Sequence, residues 1–181
     1  IPTEADQEET AEEFSGADIL INNFSTQIMR GDKIGVIGPN GSGKTTLLRV
    51  LCGLMQPMAG AVHWHGEDIR ALREDFHRDL AYVGHLNAVK DELTPLENVA
   101  FARAMGAQGN DAASAPLALS TLGLNKQQQR LPSKVLSQGQ KRRVALARAL
   151  FGGAKLWVFD EPFAALDVSA IALVAERISA H

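Results

Sequence analysis

The sequence predicts an α/β fold with a mostly parallel sheet core, and three observations predict it. Short apolar runs bounded by glycine alternate with stretches of helical period, so strands and helices take turns along the chain. One such run, Lys33–Ile37, leads through a glycine-rich turn directly into an apolar helix. Over residues 89–150 the strand signal fades and helical patterns take over, which marks a helical subdomain inserted into the sheet-bearing part. The chain has 181 residues, 45% of them hydrophobic, enough for a single domain with a real core.

Taken in order, residues 1–16 read as an acidic, flexible tail. Residues 1–13 carry six acids and no base, a composition that favours solvation over packing. Residues 17–181 read as one domain. Phe24, Thr26 and Ile28 alternate with polar neighbours and predict a half-buried strand. After the turn Arg30-Gly31-Asp32, Lys33–Ile37 predicts a buried strand, so the domain should open with an antiparallel pair. A helix follows to about Cys52, with Gly53 placed to end it. Ala61–Trp64 predicts a strand, Ile69–His77 a helix and Leu80–Val83 a short strand. Helices are expected over Leu96–Ala104 and Ala113–Leu122, with a turn at residues 106–111 between them. Gln138–Leu150 predicts a strong helix, Lys155–Phe159 a buried strand and Val168–Ala180 a closing helix.

Bulk properties exclude several classes. A formal net charge of −3 gives no basic footprint, so no direct nucleic-acid partner is expected. Cys52 is the only cysteine, so no intramolecular disulfide can form, and its place at the end of an apolar helix suggests a core thiol. No signal peptide is evident, and no apolar run approaches the roughly 18 residues that a membrane span needs. A membrane role is therefore expected to work through a partner. His63 and His65 alternate on a predicted strand and are expected to face solvent rather than bind metal.

Three motifs carry chemistry. Gly38-Pro39-Asn40-Gly41-Ser42-Gly43-Lys44-Thr45 matches the P-loop pattern, between a predicted strand and a predicted helix. Its glycines let backbone amides turn toward phosphates, and the helix N-terminus adds further donors and a positive dipole end. Lys44 brings a cation to the β- and γ-phosphates, and the Thr45 hydroxyl is a Mg²⁺ ligand candidate. The second motif, Leu156–Phe159 followed by Asp160 and Glu161, is an apolar strand ending in two acids. Asp160 can hold Mg²⁺, and Glu161 can polarise an attacking water as general base. The third is Leu136-Ser137-Gln138-Gly139-Gln140, followed by Lys141-Arg142-Arg143. Ser137 and Gln140 are spaced for a capping box, and the helix N-terminus they start can bind phosphate.

In this order, and with Ala165-Leu166-Asp167 after them, these motifs resemble the ABC ATPases across roughly residues 17–181. LSQGQ is similar to that family's LSGGQ signature, which separates it from other P-loop NTPases. The resemblance implies ATP and Mg²⁺ as ligands and a head-to-tail pair of cassettes, a homodimer if both are this chain. Each ATP would lie between Gly38–Thr46 of one copy and Ser137, Gln138, Gly139 and Gln140 of the other, with Asp167 contacting across the pair. It also implies a membrane permease as partner, at the cytoplasmic face of the bacterial inner membrane.

The segments HRDLAYVGHLNAVKDELTPLENVAF, GQKRRVALARAL and LWVFDEPFAALD look most like the ATP-binding subunits of the cytochrome c maturation (haem exporter) system. Residues 24–48 also resemble the ABC-F group of soluble ATPases that act on ribosomes, which remains an alternative. So does a nucleotide-binding module without turnover. Three departures from the family pattern matter. His85 stands where the family has a glutamine that senses Mg²⁺ and the membrane partner. Phe14 is near the spacing of the aromatic that stacks on adenine. A last strand and a switch histidine are expected beyond His181, and with Ile1 in place of an initiator methionine the chain reads as a fragment.

Overall fold

The computed structural model describes residues 21–105 and 114–181. Phe14, the acidic tail and the turn expected at 106–111 lie outside the described residues.

The first departure from expectation comes at the start. The turn at Arg30-Gly31-Asp32 forms: Asp32 N–H donates to Met29 O at 3.1 Å, and Asp32 Oδ2 accepts from Met29 N–H at 2.8 Å. The flanking strands do not form. Phe24, Ile28, Ile34, Val36 and Ile37 are all exposed, Ile37 at 97%, so the N-terminal antiparallel pair is corrected to an irregular segment about a turn. The physical reason is that a two-stranded hairpin is marginal in water without a third strand or a covering helix, and among the described residues neither is paired with it.

Helix α1, Lys44–Leu51, springs from Gly43. It closes at the expected glycine: the N–H groups of Cys52, Gly53 and Leu54 donate back to Leu48, Val50 and Arg49. Strands β1 (His63–Trp64) and β2 (Glu67–Asp68) then pair antiparallel. His65 and Gly66 between them both have positive φ, 52° and 85°, as a tight primed hairpin turn requires. Helix α2, Arg73–Asp79, starts four residues later than the periodicity predicts. The Asp68 carboxylate accepts from the Arg70 N–H and its guanidinium, and this local bonding holds Ile69–Leu72 in a turn instead. Phe76 still points inward, 2% exposed.

Strands β3 (Leu80–Val83) and β4 (Leu156–Phe159) pair in parallel, Leu80 opposite Leu156 and Val83 opposite Phe159. A parallel pair needs a long crossover, and the helical stretch supplies it: α3 (Pro95–Met105), α4 (Ser114–Thr121), 3₁₀ turns at Gln128–Arg130 and Ser133–Val135, then α5 (Gln138–Leu150). Helix α3 is started by a Thr94–Glu97 capping box and by Pro95 at its first position. Buried Asn98 ties this start to the loop before it, bonding Lys90 through both its backbone groups and also Ser133 Oγ. Helix α6, Val168–Ala180, is capped by Asp167. One apolar core joins β3, β4 and helices α3–α6 through Val83, Val99, Leu119, Leu122, Val144, Leu146 and Val174, among others. The fold is mixed α/β as expected, but among the described residues its sheet is one parallel and one antiparallel pair.

Candidate active site

The P-loop segment wraps a cation of its own. Lys44 Nζ donates to Gly38 O at 2.6 Å and to Pro39 O at 2.7 Å. A cavity of about 300 Å³ opens here, lined by Gly38, Pro39, Ser42, Gly43, Lys44 and neighbouring apolar residues. Gly43, at φ 82°, is the N-cap of α1 and offers no side chain to its first turn, which also holds no acid. The first-turn amides are therefore left for a ligand, while α5 and α6 have theirs capped by Ser137 and Asp167. An ammonium and uncapped helix amides facing one cavity suit a polyphosphate anion.

Beside this loop stands the end of β4. Asp160 N–H donates to Val83 O at 2.8 Å, which continues the parallel ladder by one bond and fixes the carboxylate at the strand's C-terminal edge. Thr45 Oγ1 donates to Asp160 Oδ2 at 2.8 Å, joining residues 115 positions apart. Asp160 is buried, at 5% exposure. A hydroxyl and a carboxylate side by side fit a hard cation such as Mg²⁺, which takes one or two carboxylates and completes its shell with water and substrate phosphates. The described residues contain no cluster of three or more His, Cys, Asp or Glu fit for a metal, and His63 and His65 are exposed as expected.

Glu161 follows in the left-handed region, at φ 52°, with its carboxylate exposed. Its Oε2 lies 3.7 Å from His85 Nδ1, too far for a direct hydrogen bond and close enough for a bridging water. The sequence singles out both residues, and the fold brings them together because the loop after β3 runs beside the end of β4. It also gives a role to a residue passed over as part of a basic run. Arg142 is 2% exposed and donates to the carbonyls of Gly84, Asp160 and Glu161. The available signal was position: Arg142 lies on the apolar face of α5 with Leu146 and Ala149, where a solvated arginine does not belong.

At the start of α5 the capping box forms in full. Gln140 N–H donates to Ser137 Oγ at 3.2 Å, and Ser137 N–H donates to Gln140 Oε1 at 2.8 Å. A Cβ on Gly139 would lie 2.6 Å from Ala165 O, so the close approach of these two segments needs glycine there. Asp167 accepts from Ala170 N–H and Ser169 Oγ and is also paired with Arg143. These bonds, the backbone one first, hold its carboxyl below the usual range.

Residues 21–164 match the protein family described as ABC transporter. The chain belongs to that family. As an ABC cassette it is an ATP-binding ATPase. Its relatives include the cytochrome c biogenesis ATP-binding export protein CcmA of Aromatoleum aromaticum, 48% identical over 92% of this chain and 78% of that protein. The CcmA of Nitrosospira multiformis is 47% identical over 93% of the cassette and 78% of its own length. Among solved structures, the ATP-binding cassette MJ0796, a dimer in a post-hydrolysis state with ADP and Pi, is 27% identical and superposes with a TM-score of 0.78. That match covers 88% of this chain and 73% of that one. No described helix of the cassette is long and apolar enough to cross a membrane.

Proposed function

We propose that this cassette powers an exporter of cytochrome c biogenesis, the role for which its CcmA relatives are named. In that reading it acts at the cytoplasmic face of the inner membrane, through a permease subunit, and works as a pair of cassettes. The observation that supports the ATP site is the Thr45–Asp160 hydrogen bond, which brings together two oxygen groups that would suit Mg²⁺ beside the P-loop lysine's helix.

Gly38 through Thr46 hold the phosphates, with Lys44 released from its own loop carbonyls toward the β- and γ-phosphates. Thr45 and Asp160 would hold Mg²⁺, which would supply charge that neutralises the phosphates. Glu161 takes the proton of the attacking water as general base, and His85, facing it, orients that water. Ser137, Gln138, Gly139 and Gln140 close over the γ-phosphate of the partner copy, the two helix starts acting as anion sites from either side. ATP thus favours the closed pair and hydrolysis the open one, which is how the cycle moves a membrane partner. Residues 17–181 act as one such domain, with residues 89–150 as its helical subdomain.

The test is ATP turnover with Glu161→Gln beside wild type. Loss of a general base lowers kcat by about 10²–10⁴-fold, with Mg-ATP still bound. Lys44→Ala should lose binding itself. Undiminished turnover in Glu161→Gln would remove Glu161 from the chemistry.

A further inference from the structure

The proposed chemistry depends on where Glu161 points, and Glu161 sits in a backbone conformation that L residues seldom adopt, φ 52°. Such geometry persists only where the surroundings over-determine it. The group that fixes it here is the Arg142 guanidinium. Nη2 donates to Asp160 O at 2.8 Å and to Glu161 O at 2.6 Å. Nη1 donates to Gly84 O at 2.7 Å and reaches Asn87 Oδ1 at 3.4 Å. One planar fork thus spans the end of β4 and the loop that carries His85.

Around it, α5 grips the same loop twice more. Arg148 Nη1 donates to the carbonyl of Ala88, itself at φ 48°, and Lys141 pairs with Asp91 at 2.5 Å. A buried cation is costly unless its partners are in place, and among the described residues Arg142 Nε has none. Burial disfavours the charged guanidinium, while Asp160 and Glu161 favour it. The charge is retained where its acceptors are the backbone carbonyls beside the two acids.

We propose that Arg142 is a positioning residue that holds Glu161 and the His85 loop in one working arrangement, so that the seating of α5 sets the aim of the Glu161 carboxylate. This rests on the reading of Glu161 as general base. It gives the helix that begins with Ser137–Gln140 a direct mechanical hold on the hydrolytic groups of its own chain.

The experiment measures Mg-ATP affinity, KM and kcat of the full-length protein as wild type, Arg142→Gln, Arg142→Lys, Glu161→Gln and the double variant Arg142→Gln/Glu161→Gln. Arg142→Gln should lower kcat by about 10²-fold, the scale of an ångström of misplacement, with ATP affinity within about threefold of wild type. Arg142→Lys keeps the charge without the fork and should stay impaired in kcat. In the Glu161→Gln background Arg142→Gln should remove nothing further, because groups acting as a unit are not additive. Should Arg142→Gln fail to fold, Arg142→Lys and its double variant carry the same comparisons. An unchanged kcat, a full multiplicative loss in the double variant, or equal losses of affinity and kcat would overturn the proposal and leave the site reading intact. Wild-type turnover in Glu161→Gln alone would sink the site reading and the proposal with it.

Discussion

Cys52 carries no reactivity that the cassette uses, and burial is the reason. Its side chain is 0% exposed, and burial pushes the thiol up from 9.0 to about 12. The thiolate is the reactive form, so at neutral pH this is a small apolar core group. The native state keeps its proton where the unfolded state releases it near 9.0. Its contribution to stability is therefore full below about 9 and is lost as pH rises toward about 12. Two measurements check this. The urea midpoint should fall progressively through that alkaline window, and less so in Cys52→Ala. At mildly alkaline pH an aromatic disulfide reagent should label the unfolded chain at once and the native chain only as fast as it opens. Immediate labelling of the native protein would contradict the burial. His85 and Glu161 show the opposite case, exposed side chains 3.7 Å apart whose meaning lies in their geometry.

Elements whose ends are set by local bonding are the ones legible in the sequence. Helices α5 and α6 begin and end where the pattern places them, because Ser137 with Gln140 and Asp167 with Ala170 satisfy the first amides within three residues. Replacing Ser137 by Ala should cost about 1 kcal/mol, seen as a melting point lower by about 2–4 °C for a domain of this size. No change in melting would mean that this cap contributes no stability in solution. Strands β3 and β4 were equally legible, as short apolar runs. What failed was what depends on distant partners. Residues 24–37 have the alternation of strands, yet alternation does not supply a neighbouring edge, and they remain exposed. Strand β2 is two residues long and too short for periodicity to reveal. The late start of α2 follows from Asp68 bonding to Arg70, a contact that helical period does not encode. The P-loop, acid pair and capping box were legible as motifs because each is contiguous. The Arg142 fork was not, because its four acceptors arrive from two segments that meet only in the folded chain.

At the scale of the whole molecule, one core joins the acid pair to the start of α5. Val83 beneath the His85 loop, Val144 and Leu146 on α5 and Val174 on α6 belong to a single apolar cluster, so the end of β4 and the Ser137–Gln140 start are carried by one body, to which the P-loop is tied by the Thr45–Asp160 hydrogen bond. Yet among the described residues no hydrogen bond joins Gly38–Thr46 to Ser137–Gln140, whose bonds run to Asp160 or within their own segments. If both sets act on one ATP, a second copy must supply the missing half. Near Asp167, Phe163 and Val168 expose apolar surface, Val168 at 84%, where a contact between copies would bury it. Sedimentation of Glu161→Gln should therefore show association on adding Mg-ATP and none with nucleotide absent. Val168→Glu in that background should weaken association by roughly fivefold or more, the effect of losing on the order of 1 kcal/mol at an interface, while nucleotide binding by the single cassette persists. If Glu161→Gln binds Mg-ATP and stays monomeric at every concentration reached, Ser137–Gln140 serve only to start α5, and the paired reading of the site fails.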